Sequence, residues 1–414
     1  MLSHGGGNLY ALAALATYVE NDCTARVADP AAEPLADVIS SFRPDIIGIT
    51  SYTITYPEAI ETMRQARELA PKALRIIGGV HISSLPESLD EVFDAGVIGE
   101  GEQTLAEIIH SPSRARLGSI PGICYHSAGG VAINPPGEYG EPELPIPRLD
   151  RYAPGAAKTG SVGFITSRGC PFKCTFCYSP VLRQKVRYCP PEWVASQFEY
   201  AIRTLKASYL MLLDDTVCLD SERLEKTADE IERRGLFNFS TAVNMRSSAI
   251  NDDLCRALER LRVVSWNCGF ESGSDKMLKH IKGPSASLEK HYELVEAAYL
   301  HGIRLNGSFI LGMPGETLED MEKTLEFMQY LYNQKLAGRY RGGFWFFCAA
   351  PFPGTKWWDT ALQKGRVGLD MDFTRLDIKN FDHHLLLEES ISETQWREVL
   401  KRAGEIVEKA NRVF

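Results

Sequence analysis

The sequence predicts an α/β protein in two parts: a doubly wound parallel sheet, then an open, partial barrel of six βα units with a helical tail. Three observations carry this. Apolar runs that read as strands alternate with amphipathic stretches, the pattern of parallel sheets. The alternation breaks once, at "SAGGVAINPPGEYGEPELPIPRLDRYAPG" (127–155), whose prolines and glycines interrupt regular structure. Beyond the break it resumes at longer spacing, with six strand-like runs. The reading is residues 1–126 as a first domain, 127–158 as a surface linker, 159–354 as the barrel and 355–414 as the tail.

In the first half, "LYALAALATYVEN" reads as a helix, "ARVADP" as a short strand and "EPLADVISSFRP" as a second helix. "DIIGITS" is a continuous apolar run, as a strand buried on both faces requires. "PEAIETMRQARELAP" is helical, and "LRIIGGVH" and "VIGEGE" are further strands. Ligands on such Rossmann-like sheets sit outside the carboxyl ends of the strands. Those ends carry Ser51, Tyr52 and Thr53, then Gly78, Gly79 and His81, then Gly99, Glu100 and Gly101. These small or polar groups allow close approach.

In the second half, "GSVGFITS" (160–167) is a strand running into "GCPFKCTFC". "PEWVASQFEYAIRTLK" puts Val194, Phe198, Ile202 and Leu205 on one helical stripe. "YLMLLDD", "FSTAVN", "VVSWNCGFES", "RLNGSFILGMPGE" and "GGFWFFCAAPFPG" read as five more strands. Barrels of this kind place their chemistry at the rim formed by the strand C-termini.

Composition narrows the class. The 414 residues, 44% hydrophobic and 24% charged, suit a soluble two-domain chain, and no apolar run reaches bilayer-spanning length. The N-terminus lacks the positive region of a secretory signal. A formal charge of −9 argues against a nucleic-acid partner. Seven of the ten cysteines are scattered through apolar or helical contexts and read as free thiols of a reduced cytoplasm.

The other three demand chemistry. Cys170, Cys174 and Cys177 form a C-x3-C-x2-C array at the end of a strand. Such thiolates bind zinc or an iron–sulfur cluster. A structural zinc site asks for four ligands, and Cys189 lies in a different context; a cubane held by three cysteines keeps one iron open for a ligand. Both readings stand on spacing alone, with the strand-end position favouring the cluster.

"GCPFKCTFC" resembles the cluster motif of the radical S-adenosylmethionine (radical SAM) enzymes. The resemblance implies a 4Fe–4S cluster on Cys170, Cys174 and Cys177, with S-adenosylmethionine (SAM) chelating the open iron. Phe176 occupies the aromatic slot whose backbone meets adenine. "LLDD" puts Asp214 and Asp215 where many members carry a "GGE" stretch holding the SAM amino group, a departure from that pattern, with Asp214 taken as the SAM ligand. "NMRSS" offers Asn244 and Arg246 for the carboxylate and ribose, "GFESGS" offers Glu271 for the ribose hydroxyls, and Gly312 in "FILGMPGE" lies on the adenine-binding strand. "PFPGT", "GGVHISSLPE", "VIGEGEQTL" and "LPIPRLDRY" resemble the subclass with an N-terminal cobalamin (B12)-binding domain, over nearly the whole chain.

Whether that domain holds cobalamin stays open at this level. The D-x-H-x-x-G signature of other cobalamin proteins is absent, and many radical SAM members bind cobalamin without it. His81 faces the corrin on one reading and bonds locally on the other. Members of the subclass open with an apolar strand, whereas here Met1 falls almost directly on "SHGGGNLYALAALA". The true start then lies upstream, or the domain is trimmed.

The resemblance implies an enzyme that abstracts hydrogen from an unactivated carbon of a small molecule, a secondary-metabolite intermediate for this subclass. With cobalamin, a methyl group reaches the substrate radical; without it, the radical cyclises, rearranges or epimerises. A non-catalytic cobalamin or redox sensor is the reading from another class. A flavodoxin- or ferredoxin-type reductant is implied. In the tail, Trp357, Trp358, His383 and His384 either cap the barrel mouth or pack, and no residue is singled out as a catalytic acid or base.

Overall fold

The computed structural model describes residues 1–2, 9–137, 144–155, 158, 160–179, 185–379, 381, 385 and 390–413. It forms two compact units. The first comprises Met1–Lys158 with Phe352–Gly354 and Trp358–Asp377, and the second is the rest of the chain. Among the described residues no helix is long and apolar enough to cross a membrane.

The first unit is built on β1 (Ile46–Thr50), β2 (Leu74–Gly78), β3 (Ala95–Val97), β4 (Ile123–Ser127) and β5 (Gly130–Ile133), paired in that order. β1 to β3 are parallel, starting from Ile46 opposite Leu74. Ile47, Ile49, Ile76 and Ile77 are all buried; β2 is buried on both faces from Leu74 to Ile77, whereas β1 buries one face and leaves Ile46 and Thr50 on the other half-buried. Each such side chain contributes about 1.5–3 kcal/mol on leaving water. "ARVADP" supplies no ladder. Ala28 makes one parallel bridge to Leu2, which also bridges Ile49.

The reading of 127–155 as an unbroken linker is corrected at both ends. β4 and β5 form an antiparallel hairpin from Cys124 opposite Ile133 to Ser127 opposite Gly130. Ala128 and Gly129 make its two-residue turn, and Gly130 follows at φ 109°. Glycines that break a helix also close a hairpin, and only the pairing tells the two apart. Further on, Leu149–Tyr152 is a helical turn whose Leu149 and Tyr152 are buried, with the Tyr152 hydroxyl 3.2 Å from Glu20 Oε2.

The second unit carries β6 (Ser161–Phe164), the short hairpin β7 (Ser167–Arg168) and β8 (Arg187–Tyr188), then β9 (Tyr209–Leu212), β10 (Ser240–Met245), β11 (Val263–Glu271), β12 (Arg304–Leu311) and β13 (Phe344–Cys348). The main sheet runs β13-β12-β11-β10-β9-β6, parallel throughout, with β6 and β13 at its two edges. This is the parallel six-stranded arrangement of a partial barrel. One face packs on helices through Phe164, Phe198, Trp266, Phe270, Phe309, Phe327 and Phe344, all fully buried. The opposite face carries Asn244, Asn267, Gly269, Asn306 and Ser308, each half-buried.

In the tail, Trp357 is buried with its ring 5.6 Å from that of Phe176, and Trp358 is buried in the first unit. The closing helix Glu393–Arg412 begins with a capping box between Ser392 and Gln395. His383 and His384 lie outside the described residues.

Candidate active site

A cavity of about 440 Å³ opens on the inner face of the second sheet, a size that suits a small-molecule ligand. Cys170, Cys174 and Cys177 line one end. All three are free thiols of intermediate exposure. Their loop is anchored by Thr175 N–H donating to Ile281 O (2.9 Å) and Cys177 N–H donating to Cys174 O (3.2 Å). Among the described residues, no three His, Cys, Asp or Glu side chains converge on a single ion. The donor set fits a cluster that takes each thiolate on a different iron.

Four charged side chains line the same cavity: Asp215, Arg246, Glu271 and Lys282. Arg246 is fixed from three sides. Its Nη1 donates to Cys174 Sγ (3.6 Å), its Nη2 to Lys282 O and its Nε to Ser248 Oγ (2.9 Å). Its guanidinium also lies 4.1 Å from the centroid of Phe172. Glu271 adopts φ 68°, a left-handed conformation uncommon for a residue with a side chain. Its carboxylate folds back over Gly269, where a Cβ would stand 2.0 Å from Glu271 Oε1. Burial raises the Glu271 pKa, and Lys282, whose Nζ lies 3.6 Å away, pulls it back. A buried ion pair of this kind fixes geometry more than it stabilises the fold.

The structure divides the acidic pair after β9. Asp214 is 1% exposed and turned away from the cavity. It accepts from Thr166 N–H (3.1 Å), Thr166 Oγ1 (3.0 Å) and Ser167 Oγ. Burial raises its pKa, against the pull of the Ser167 hydrogen bond and the Arg223 charge. Asp215 lines the cavity and accepts from Ser179 Oγ (3.1 Å). The strand-end carboxylate near the cysteines is therefore Asp215, and Asp214 pins the start of the cysteine loop. Phe176, Asn244, Arg246 and Glu271 all line the cavity. Gly312 does not. It sits at φ 82°, and its N–H donates to Glu316 Oε2 (2.8 Å), closing the turn after β12.

Lys282, Asn267 and Asn306 line the cavity without having been picked out in the sequence. The two asparagines carried a signal, since each interrupts an apolar strand run, in "SWNCGF" and "RLNGSF". Lys282 carried none, because it arrives from the end of the helix Asp275–Lys282.

At the strand ends of the first unit, Ser51 is buried and its Oγ has no hydrogen-bond partner among the described residues. A Cβ added at Gly78 or Gly99 would meet nothing within 4 Å. At Gly79 (φ 99°) a Cβ would stand 2.6 Å from Ser51 O, so glycine permits the close approach of these two strand ends. Tyr52 is 44% exposed and Thr53 is buried. Gly99 N–H donates to Ser83 Oγ (2.9 Å), Glu100 is half-buried, and Gly101 precedes the helix Glu102–His110. His81 is fully buried between Tyr56 (centroids 4.0 Å) and Phe373 (4.7 Å), with Nε2 2.9 Å from Ser88 Oγ. Burial lowers its pKa to about 3, so the ring is neutral. The open space over Gly78 and Gly99 and the unpartnered Ser51 hydroxyl fit a large ligand bearing polar groups; His81 takes the local bonding of the two expectations.

Comparison with known proteins agrees with this geometry. The Radical SAM superfamily description matches residues 164–328, and the B12 binding domain description matches residues 9–109. An uncharacterized methyltransferase of Pyrococcus horikoshii is 31% identical over 85% of this chain and 78% of its own length. The radical SAM methyltransferase TsrM of Kitasatospora setae, solved with tryptophan and a SAM analogue, superposes with a TM-score of 0.71 at 20% identity, over 87% of this chain and 76% of that one. The cobalamin-dependent radical enzyme OxsB, solved with aqua-cobalamin and SAM, gives 0.77 at 16% identity, over 97% of this chain and 65% of that one. At these identities the structural likeness is one of fold. The chain is an enzyme of the radical SAM superfamily, with that superfamily's 4Fe–4S cluster and SAM as cofactors, and it belongs to the branch that carries an N-terminal B12-binding domain.

Proposed function

We propose that this enzyme methylates a carbon of a small-molecule substrate by a radical route that uses both SAM and cobalamin. One observation carries the reading: a three-thiol loop and a charge set matched to a zwitterion share one cavity. When bound, the cluster and SAM supply a 5′-deoxyadenosyl radical for hydrogen abstraction, and cobalamin supplies the methyl group. The residues of this chain hold and orient. Asp215 is placed for an ammonium, Arg246 and Lys282 for a carboxylate, and Glu271 and Asn244 for ribose hydroxyls. Arg246 also donates to Cys174 Sγ, so the group that fixes the cosubstrate touches a cluster ligand. Phe172 and Phe176 give this end an apolar wall against water.

Cobalamin belongs to the first unit on this reading, over Ser51, Gly78 and Gly99. The relatives named as methyltransferases and the solved cobalamin-bound OxsB support it. A secondary-metabolite intermediate is the substrate class we assign, and a flavodoxin- or ferredoxin-type protein the electron source. The test is anaerobic purification from cells supplied with cobalamin, followed by cluster reconstitution. One corrin per chain beside the iron–sulfur bands is the expected result. Iron–sulfur bands with no corrin would overturn methyl transfer and favour cyclisation or rearrangement by the same radical.

A further inference from the structure

Alternate residues of a strand share a face, so register lays the inner face out in rows. Asn244, Asn267 and Asn306 lie in register across β10, β11 and β12. They form one chain of amides: Asn306 Nδ2 donates to Asn267 Oδ1 (3.0 Å), and Asn267 Nδ2 donates to Asn244 Oδ1 (3.4 Å). Gly343 N–H donates into its end at Asn306 Oδ1 (3.2 Å). One row further along, Gly269 lies opposite Ser308, and Ser308 opposite Trp345. The Glu271 carboxylate lies over Gly269, so the open part of this row is at Ser308, whose small side chain adjoins the indole of Trp345.

That indole is open yet held. Trp345 lines the cavity with 47% of its surface exposed. A Cβ added at Gly343 would stand 3.0 Å from its Cη2 and 3.2 Å from its Cζ2, so the ring leans on the Gly343 backbone. Phe347, two residues on along β13, adds a second aromatic surface. The charge in the cavity lies on the other side. Asp215, Arg246, Glu271 and Lys282 follow or belong to β9, β10 and β11, whereas the described lining residues from β12 and β13 are uncharged.

We infer that the β12–β13 side of the cavity takes a flat, uncharged aromatic ring of the substrate, stacked on Trp345, with its hydrogen-bonding edge met by the amide of Asn267; Asn306 already gives its N–H groups to Asn267 Oδ1 and Ser265 Oγ and holds Asn267 in place. The inference deepens the proposed function and rests on it. Adenine is also flat and uncharged; the resemblance puts it against the Phe176 backbone and the strand end at Gly312, whereas Ser308 and Trp345 lie further back along β12 and β13, and the SAM titration below separates the two rings.

The test titrates cluster-reconstituted, SAM-saturated enzyme with 2-naphthamide and with decahydronaphthalene-2-carboxamide, neutral amides that differ in the flatness of their rings. The aromatic amide is expected to bind about ten-fold or more tightly than the saturated one. Trp345→Ala removes about that factor, and Trp345→Phe restores most of it. Equal binding of the two amides overturns the inference, as does naphthamide affinity unchanged in Trp345→Ala. Loss of SAM and naphthamide affinity in parallel in Trp345→Ala would place the indole in the SAM site and overturn it too. Failure of the underlying reading shows separately: a wild-type enzyme that releases no 5′-deoxyadenosine from SAM removes the proposed function, and the inference falls with it.

Discussion

Cys174→Ala is expected to reduce 5′-deoxyadenosine formation from SAM to the limit of detection, with loss of bound iron. The argument is one of ligand count. Three thiols line the cavity from one loop, and removing the middle one leaves two ligands, too few to hold a cubane against loss of iron. Cys268 also lines the cavity, but it lies on β11 at 3% exposure, and burial pushes its pKa up to about 11. It is placed to pack rather than to replace a ligand. Cys189→Ala is the control. That thiol does not line the cavity, and the loop contact at this position is made by backbone, with Cys189 N–H donating to Thr166 O (3.0 Å). Its iron content and product yield are expected to match wild type. A Cys174→Ala enzyme that still releases 5′-deoxyadenosine would remove the cluster assignment.

Asp214→Ala is expected to destabilise the second unit by about 3–5 kcal/mol, the range found when one partner of a buried charge network is removed. For a unit of this size that is a fall of roughly 6–20 °C in the thermal midpoint. Asp214 satisfies Thr166 N–H and two hydroxyls. Its charge also faces Arg223, which is 6% exposed and whose Nη1 reaches only Thr166 Oγ1 (3.1 Å) and Thr166 O (3.3 Å) among the described hydrogen-bond partners. Without Asp214 that guanidinium is left as an uncompensated buried charge. Asp215→Asn is the contrasting variant. It keeps the unfolding free energy within about 1 kcal/mol of wild type, as for a residue at a cavity edge, and raises the SAM dissociation constant. Thermal unfolding and SAM titration of both variants separate the roles. A stable Asp214→Ala that binds SAM poorly would reverse the assignment of the two carboxylates.

This reversal shows what sequence can and cannot carry. The cluster loop was legible because its three ligands lie within eight residues and their spacing survives without any knowledge of the fold. The parallel strands were legible because burial writes itself as apolar runs: β2 is buried on both faces from Leu74 to Ile77, while "DIIGITS" forms β1, which buries Ile47 and Ile49 on one face and leaves the other half-buried. Asp214 and Asp215 were not separable, because successive residues at a strand end point to opposite sides and the sequence does not say which side faces the cavity. Lys282 was invisible for another reason. It reaches Glu271 only because the helix after β11 returns its last residue to the sheet. The β4–β5 hairpin was read as linker because glycine marks both a break and a tight turn. The Gly269–Ser308–Trp345 row is a property of register, which no single strand contains.

The central claim is that SAM binds in the cavity beside the three thiols, on the open iron and within reach of Asp215, Arg246, Glu271 and Lys282. The most direct measurement is the electron paramagnetic resonance spectrum of the reduced, reconstituted wild-type cluster before and after addition of SAM. A change in the g-values on addition is predicted, since a ligand placed on one iron alters the cluster's electronic environment. A spectrum that stays unchanged at saturating SAM would contradict the account.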